Sequence, residues 1–250
     1  MEPNVQKVTF ESEALEREMN FNIYLPSNYE VGQEYAVLYM IHGYDGNEDL
    51  WLPNIRLDKT ADAMLSEGLI KPLIIVSPQL DNSYGFNSNL GKYSEYIVHD
   101  LIDYVDSHYS TDASREGRYI GGFSMGGWAA LHNAFLHPEL FSKVGGHSPA
   151  VFMDDWSQVG GLKDWLYPSE RKRNKKDPVR LAKTQDLTGM SVYLDCGESD
   201  GYRFFEGAEA LHNTLQDNNV KSEYHLNKGA HDPAYLMSQS REYLLFYAGL

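Results

Sequence analysis

Two nearly continuous apolar runs, "YAVLYMIH" (35–42) and "PLIIVSP" (72–78), constrain this chain most. A strand with one face in water alternates polar and apolar residues. A run without alternation has both faces covered, as in a parallel sheet clad by helices. Between the runs, "LDKTADAMLSEG" (57–68) places Leu57, Ala61, Met64 and Leu65 on one helical side, with Gly68 as a stop. The rhythm continues. "YSEYIVHDLIDYVDSHY" (93–109) carries a stripe of Ile97, Leu101, Tyr104, Val105 and His108. "RYIGGF", "SKVGGHS" (142–148), "MSVYLDCG" (190–197) and "KSEYHLN" read as strands, and "WAALHNAFLHP", "FFEGAEALHNTLQDN" and "PAYLMSQSREYLLFYAGL" as helices. "MNFNIYLP" alternates and predicts a half-buried, antiparallel strand. The expectation is an α/β fold with a mostly parallel central sheet and helices on both faces, residues 1–250 forming one domain. Residues 149–188 are too long for a simple connection and predict a lid-like insertion over one end of the sheet.

The stretch "RYIGGFSMGGWAA" sits between a strand and a helix. Gly122-Phe123-Ser124-Met125-Gly126 fits G-x-S-x-G, a turn that presents a serine nucleophile at its apex. The glycines leave room for backbones that pass close together, and the helix N-terminus offers free N–H groups to an oxyanion. The alternative is a glycine-rich structural turn. A nucleophilic serine needs a base and an orienting carboxylate, which follow it in the chain in this type of turn. Among the later histidines, His132, His137 and His212 lie on helices and His225 within a strand, whereas His231 lies in the loop "NKGAHDPA" and is the expected base. For the acid, Asp200 stands first, Glu198 second and Asp195, inside its strand, third. Oxyanion donors are expected from the N–H groups of Met125 and of Tyr44 in "IHGYDGNEDLW"; His42 reads as structural. His147, near a strand end, reads equally as a pocket residue or a satisfied structural histidine. Trp51, Trp156, Trp165, Phe152 and Tyr167 are candidates for an acyl or sugar platform, or else anchors of the insertion. "DNSYGFNSN" (81–89) is expected at the rim of the site.

Together, "MIHGYDGNEDLW", "KPLIIVSP", "GGFSMGGWAAL", "LDCGESDGY" and "KGAHDPAY" resemble the esterase D, feruloyl esterase and antigen 85 branch of the α/β-hydrolases. The resemblance runs from about Val5 to the last helix and is nearest the carbohydrate esterases of feruloyl and acetyl-xylan type. It implies Ser124, Asp200 and His231 as a triad, Tyr44 and Met125 as oxyanion donors, and a metal-free acyl-enzyme mechanism without cofactor. The substrate it implies is a small-molecule or carbohydrate-linked ester. Its members also include S-formylglutathione hydrolases and acyltransferases, and they often form homodimers. Tyr44-Asp45-Gly46 departs from the small residue and two glycines common there. A non-catalytic binder of the same fold is the remaining class, disfavoured by the intact serine, acid, histidine and elbow glycines.

The formal net charge of -15 disfavours nucleic acid and anionic membrane as partners. The one basic cluster, "RKRNKK" (171–176), reads as a solvated loop. A lone cysteine, Cys196, permits no intramolecular disulfide and no cysteine-based zinc site. The apolar runs are too short to span a bilayer. "MEPNVQKVTF" lacks the basic and apolar regions of a signal peptide, so the cytoplasm is the default expectation; a secreted chain with its signal removed would read the same.

Overall fold

The computed structural model describes residues 4–153 and 156–250; Asp154 and Asp155 of the expected insertion and the first three residues lie outside the described residues. Ten strands are described: β1 (Val5–Ser12), β2 (Arg17–Tyr24), β3 (Ala36–Ile41), β4 (Leu73–Pro78), β5 (Asn87–Ser88), β6 (Gly91–Lys92), β7 (Arg118–Phe123), β8 (Lys143–His147), β9 (Ser191–Gly197) and β10 (Lys221–Asn227). Eight of them form one sheet in the order β1-β2-β4-β3-β7-β8-β9-β10, and β5 and β6 form a small hairpin. The pairs β1/β2 and β2/β4 are antiparallel; every other pair in the large sheet is parallel.

The unbroken apolar runs are explained by where alternate side chains go. On β3, Val37, Tyr39 and Ile41 join one core with the helices at 93–108, 125–136, 178–184 and 204–217. Leu38 and Met40 point the other way, into a second core with Leu57–Ser66 and the last helix, Pro233–Ala248. On β4, Ile74 and Val76 divide from Leu73 and Ile75 in the same manner. Each such side chain contributes about 1.5–3 kcal/mol on burial, so neither face of these strands can turn polar cheaply.

Two expectations change. β2 is antiparallel, but it is not half-buried: Asn22 and Tyr24 are as enclosed as Phe21 and Ile23. The turn around Leu50–Asn54 folds over Asn22, whose amide donates to Glu48 O, Asp49 Oδ1 and Leu52 O. A polar residue thus sits in the interior because three acceptors meet it. The basic cluster is also not simply solvated. Arg173 lies over the Tyr167 ring and pairs with Asp177 at 3.2 Å. Lys176 sits 3.9 Å from the centroid of Phe86 and donates to Leu166 O. The Arg173 contacts and the Leu166 bond brace the 149–188 segment internally, with its short helices Leu162–Leu166, Glu170–Arg173 and Pro178–Thr184, and the Lys176–Phe86 contact fastens it to the body. Among the described residues no helix is long and apolar enough to cross a membrane.

Candidate active site

The parallel strands deliver four loops to one end of the sheet, the carboxyl end where ligands of open α/β sheets bind. β7 ends at Phe123, and the helix Met125–Leu136 begins two residues later, so Ser124 alone makes the turn. Its φ of 56° and ψ of -116° are a strained conformation for a side chain-bearing residue. Neighbouring backbone holds it there. Ser124 N–H donates to His147 O, and its carbonyl accepts from Trp128 and Ala150 N–H. The flanking glycines have steric reasons. A Cβ on Gly126 would lie 2.4 Å from both Ile41 O and His42 O, and one on Gly122 2.5 Å from the Gly126 carbonyl.

The loop after β9 carries Asp200, whose N–H closes a turn onto Gly197 O. Its Oδ1 accepts from Tyr202 N–H at 2.8 Å, and its Oδ2 accepts from His231 Nδ1 at 2.8 Å. The Cys196 thiol, pushed up by burial, donates to the same Oδ2 at 3.3 Å. The loop after β10 carries His231, stacked on Phe123 with ring centroids 4.4 Å apart and flanked by Tyr202 and Phe204. The acid and base loops touch directly: Ser199 N–H donates to Gly229 O, and a Cβ on Gly197 would sit 2.4 Å from that oxygen. With Nδ1 on the carboxylate, His231 keeps Nε2 for the cavity it shares with Ser124.

The fourth loop follows β3. His42 Nδ1 donates to Gly43 O and its Nε2 accepts from Leu80 N–H, while burial holds the imidazole below its usual range. Both nitrogens are used in fastening the loop. A Cβ on Gly43 would stand 3.5 Å from Ser124 Cβ, so the backbone leading into Tyr44 passes beside the serine. Met125 opens its helix, and the N–H groups of a first turn have no acceptor within the helix.

These loops bound a cavity of about 580 Å³ lined by Tyr44, Asp45, Tyr84, Phe123, Ser124, Phe152, Gln158, Val159, Gly160, Leu162, Tyr202, Phe204 and His231. The Esterase family model matches residues 12–240. The chain belongs to the esterase family. A relative named endo-1,4-beta-xylanase/feruloyl esterase, from Xylanibacter ruminicola, is 31% identical over 163 residues, 61% of this chain and 22% of that protein. The chain therefore spans about a fifth of that relative's length. An acetyl esterase from Caldicellulosiruptor saccharolyticus is 23% identical over 214 residues, 78% of this chain and 76% of that one. A solved ferulic acid esterase superposes with a TM-score of 0.86 at 21% identity, over 97% of this chain and 96% of its own. An S-formylglutathione hydrolase from Agrobacterium tumefaciens gives 0.78 at 18%, over 97% and 94%. The fold is the α/β-hydrolase fold.

Within the esterase, the structure brings Asp200 and His231 together and leaves Glu198 exposed. Asp195 is buried against His147 instead. One platform candidate is corrected, and the pocket reading of His147 with it. Trp51 is fully buried, its indole N–H spent on Ile41 O, and it faces His147 inside the second core. His147 is itself fully buried in that core and lines no part of the cavity. Trp156 reaches the site at one remove, stacked 4.1 Å behind Phe152. Trp165 borders an adjoining groove of about 280 Å³ with Tyr44, Asn82 and Leu90. Tyr167 anchors the segment through Trp128 Nε1. Tyr84 lines the cavity from the 81–89 stretch expected at the rim, whereas sequence reasoning missed Phe123, Gln158, Tyr202 and Phe204. Phe123 is the variable position of the elbow and Tyr202 follows Asp200 by two residues, and that adjacency was the available signal.

Proposed function

We propose that this esterase is a serine carboxylesterase acting on short-chain or aromatic acyl esters through Ser124, His231 and Asp200. One observation carries the reading: His231 is hydrogen-bonded to a buried carboxylate and lines one cavity with a serine held on a strained elbow. His231 Nε2 takes the Ser124 proton as Oγ attacks the ester carbonyl. Asp200 holds the imidazole in its Nδ1–H tautomer and stabilises the imidazolium. The N–H groups of Tyr44 and Met125 receive the developing oxyanion. His231 then protonates the leaving alcohol, water attacks the acyl-enzyme, and the free acid departs. The described chain works as one domain, with residues 149–188 capping the site through Phe152, Gln158, Val159 and Leu162.

The wall supports an aromatic acyl group in particular. Six of its residues are aromatic and offer ring faces to a planar acyl group, while Asp45, Gln158 and the three tyrosines among them supply polar groups beyond the reacting ones. The relative from Xylanibacter ruminicola carries feruloyl esterase in its name. The test is a panel of p-nitrophenyl acetate, butyrate and octanoate with methyl ferulate, methyl butyrate and acetylated xylan. Higher kcat/KM on methyl ferulate than on a non-aromatic methyl ester is the expected result. Equal values on the two would overturn the aromatic preference, and no cleavage of any ester would overturn the hydrolase reading.

A further inference from the structure

A second histidine–aspartate pair lies outside the proposed chemistry. His147, the last residue of β8, places Nδ1 2.8 Å from Asp195 Oδ1, and both side chains are fully buried. A buried carboxylate is costly unless its remaining lone pairs are met. Here they are: Asp195 Oδ2 accepts from the hydroxyls of Tyr235 and Tyr243. Tyr247 OH stands 3.3 Å from His147 Nε2. All three tyrosines come from the last helix, at spacings of eight and four residues that share one face. The pair borders no cavity that holds a ligand-sized space, so it is no second reaction centre.

Its connections lead to the active site from two sides. The His147 carbonyl accepts the N–H of Ser124. Tyr235 comes four residues after His231, and its ring closes over Gly229, where a Cβ would lie 2.5 Å away. The Tyr235 hydroxyl also receives Asn227 Nδ2 at 3.3 Å, from the end of β10. One fully satisfied network thus touches the elbow backbone and both ends of the His231 loop, and such networks hold a single arrangement. We propose that His147, Asp195 and Tyr235 form a positioning unit that fixes the His231 loop relative to Ser124. The inference rests on the Ser124–His231–Asp200 reading above.

Tyr235→Phe removes one oxygen and keeps the ring on Gly229. Steady-state kinetics on p-nitrophenyl acetate should show kcat reduced about tenfold or more with KM little changed, since misplacement on the order of 1 Å costs up to about 10²-fold. The downfield NMR resonance of the His231 Nδ1 proton should broaden or shift. Tyr24→Phe removes a comparably buried hydroxyl that bonds Asp62 outside this network and should lower thermal stability while leaving kcat unchanged. A Tyr235→Phe protein with lowered melting temperature but full kcat and an unmoved resonance would show that the network serves stability alone, and would overturn the proposal. If Tyr235→Phe does not fold, Asn227→Ala loosens the same hydroxyl from the β10 side and is judged by the same two readouts. Ser124→Ala tests the underlying reading separately: turnover that survives it removes the triad, whereas an inactive Ser124→Ala beside an unimpaired Tyr235→Phe removes only the positioning role.

Discussion

Ser124 keeps its backbone conformation because its N–H is bound by His147 O and its carbonyl by the N–H groups of Trp128 and Ala150. Gly122 and Gly126 are the residues that make this possible, and the cost of replacing them follows from the distances. Gly126→Ala places a methyl group against two backbone carbonyls that belong to β3 and its loop, neither of which can move alone. The expected loss of stability is about 3 kcal/mol or more, read as a fall in the denaturant midpoint; an unchanged midpoint would contradict the packing described. Asp200→Asn keeps the shape of the side chain but no longer fixes the His231 tautomer. It should lower kcat by on the order of 10³–10⁴ with KM nearly constant, measured on p-nitrophenyl acetate. These residues stood out in the sequence because they lie at or within a few residues of a strand end and are bracketed by glycine or by a turn. The cavity wall was not. Phe152 and Phe204 meet across the site in an edge-to-face contact although more than fifty residues separate them, and no local pattern encodes that meeting.

The elements divide in the same way. β3, β4 and β7 announce themselves because both of their faces are covered. β1 was missed: it is an edge strand whose Lys7, Thr9 and Glu11 face outward, and only Phe10 and Ser12 are fully enclosed. The helix Met125–Leu136 holds a prediction of its own. His132 is buried, stacked on Trp128, and hydrogen-bonded through Nδ1 to Lys176 O in the capping segment. Burial pushes its pKa down to about 4, from 6.5. Between those values the unfolded chain binds a proton that the folded chain refuses, so stability falls as pH drops through that window. From pH 7 to pH 5 this one group should remove about 2 kcal/mol. His132→Gln, which can still donate to Lys176 O, should show a correspondingly shallower pH dependence in urea unfolding. Identical slopes in the two proteins would contradict the account.

Across the molecule, the sheet brings the carboxyl ends of β3, β7, β9 and β10 to one site, and the segment after β8 covers it. That segment was recognisable by its length, but its hold on the body was not, because Lys176 reads as surface charge until Phe86 is placed against it, and nothing near Tyr167 in the chain points to its partner Trp128. If the cap shapes the acyl site, Phe152→Ala should reduce kcat/KM on methyl ferulate by about tenfold or more while changing p-nitrophenyl acetate little. A uniform loss on both esters would show that Phe152 supports the fold and does not select the acyl group.

The central claim is that Ser124 is the nucleophile of an ester hydrolase, and a fluorophosphonate probe tests it directly. Intact mass after incubation should rise by one phosphonyl group per chain, and peptide mapping should place it on Ser124, with loss of ester hydrolysis in proportion to labelling. The Ser124→Ala protein should remain unlabelled and inactive while melting close to the parent. Labelling at another residue, or ester hydrolysis that survives the Ser124→Ala change, would contradict the account.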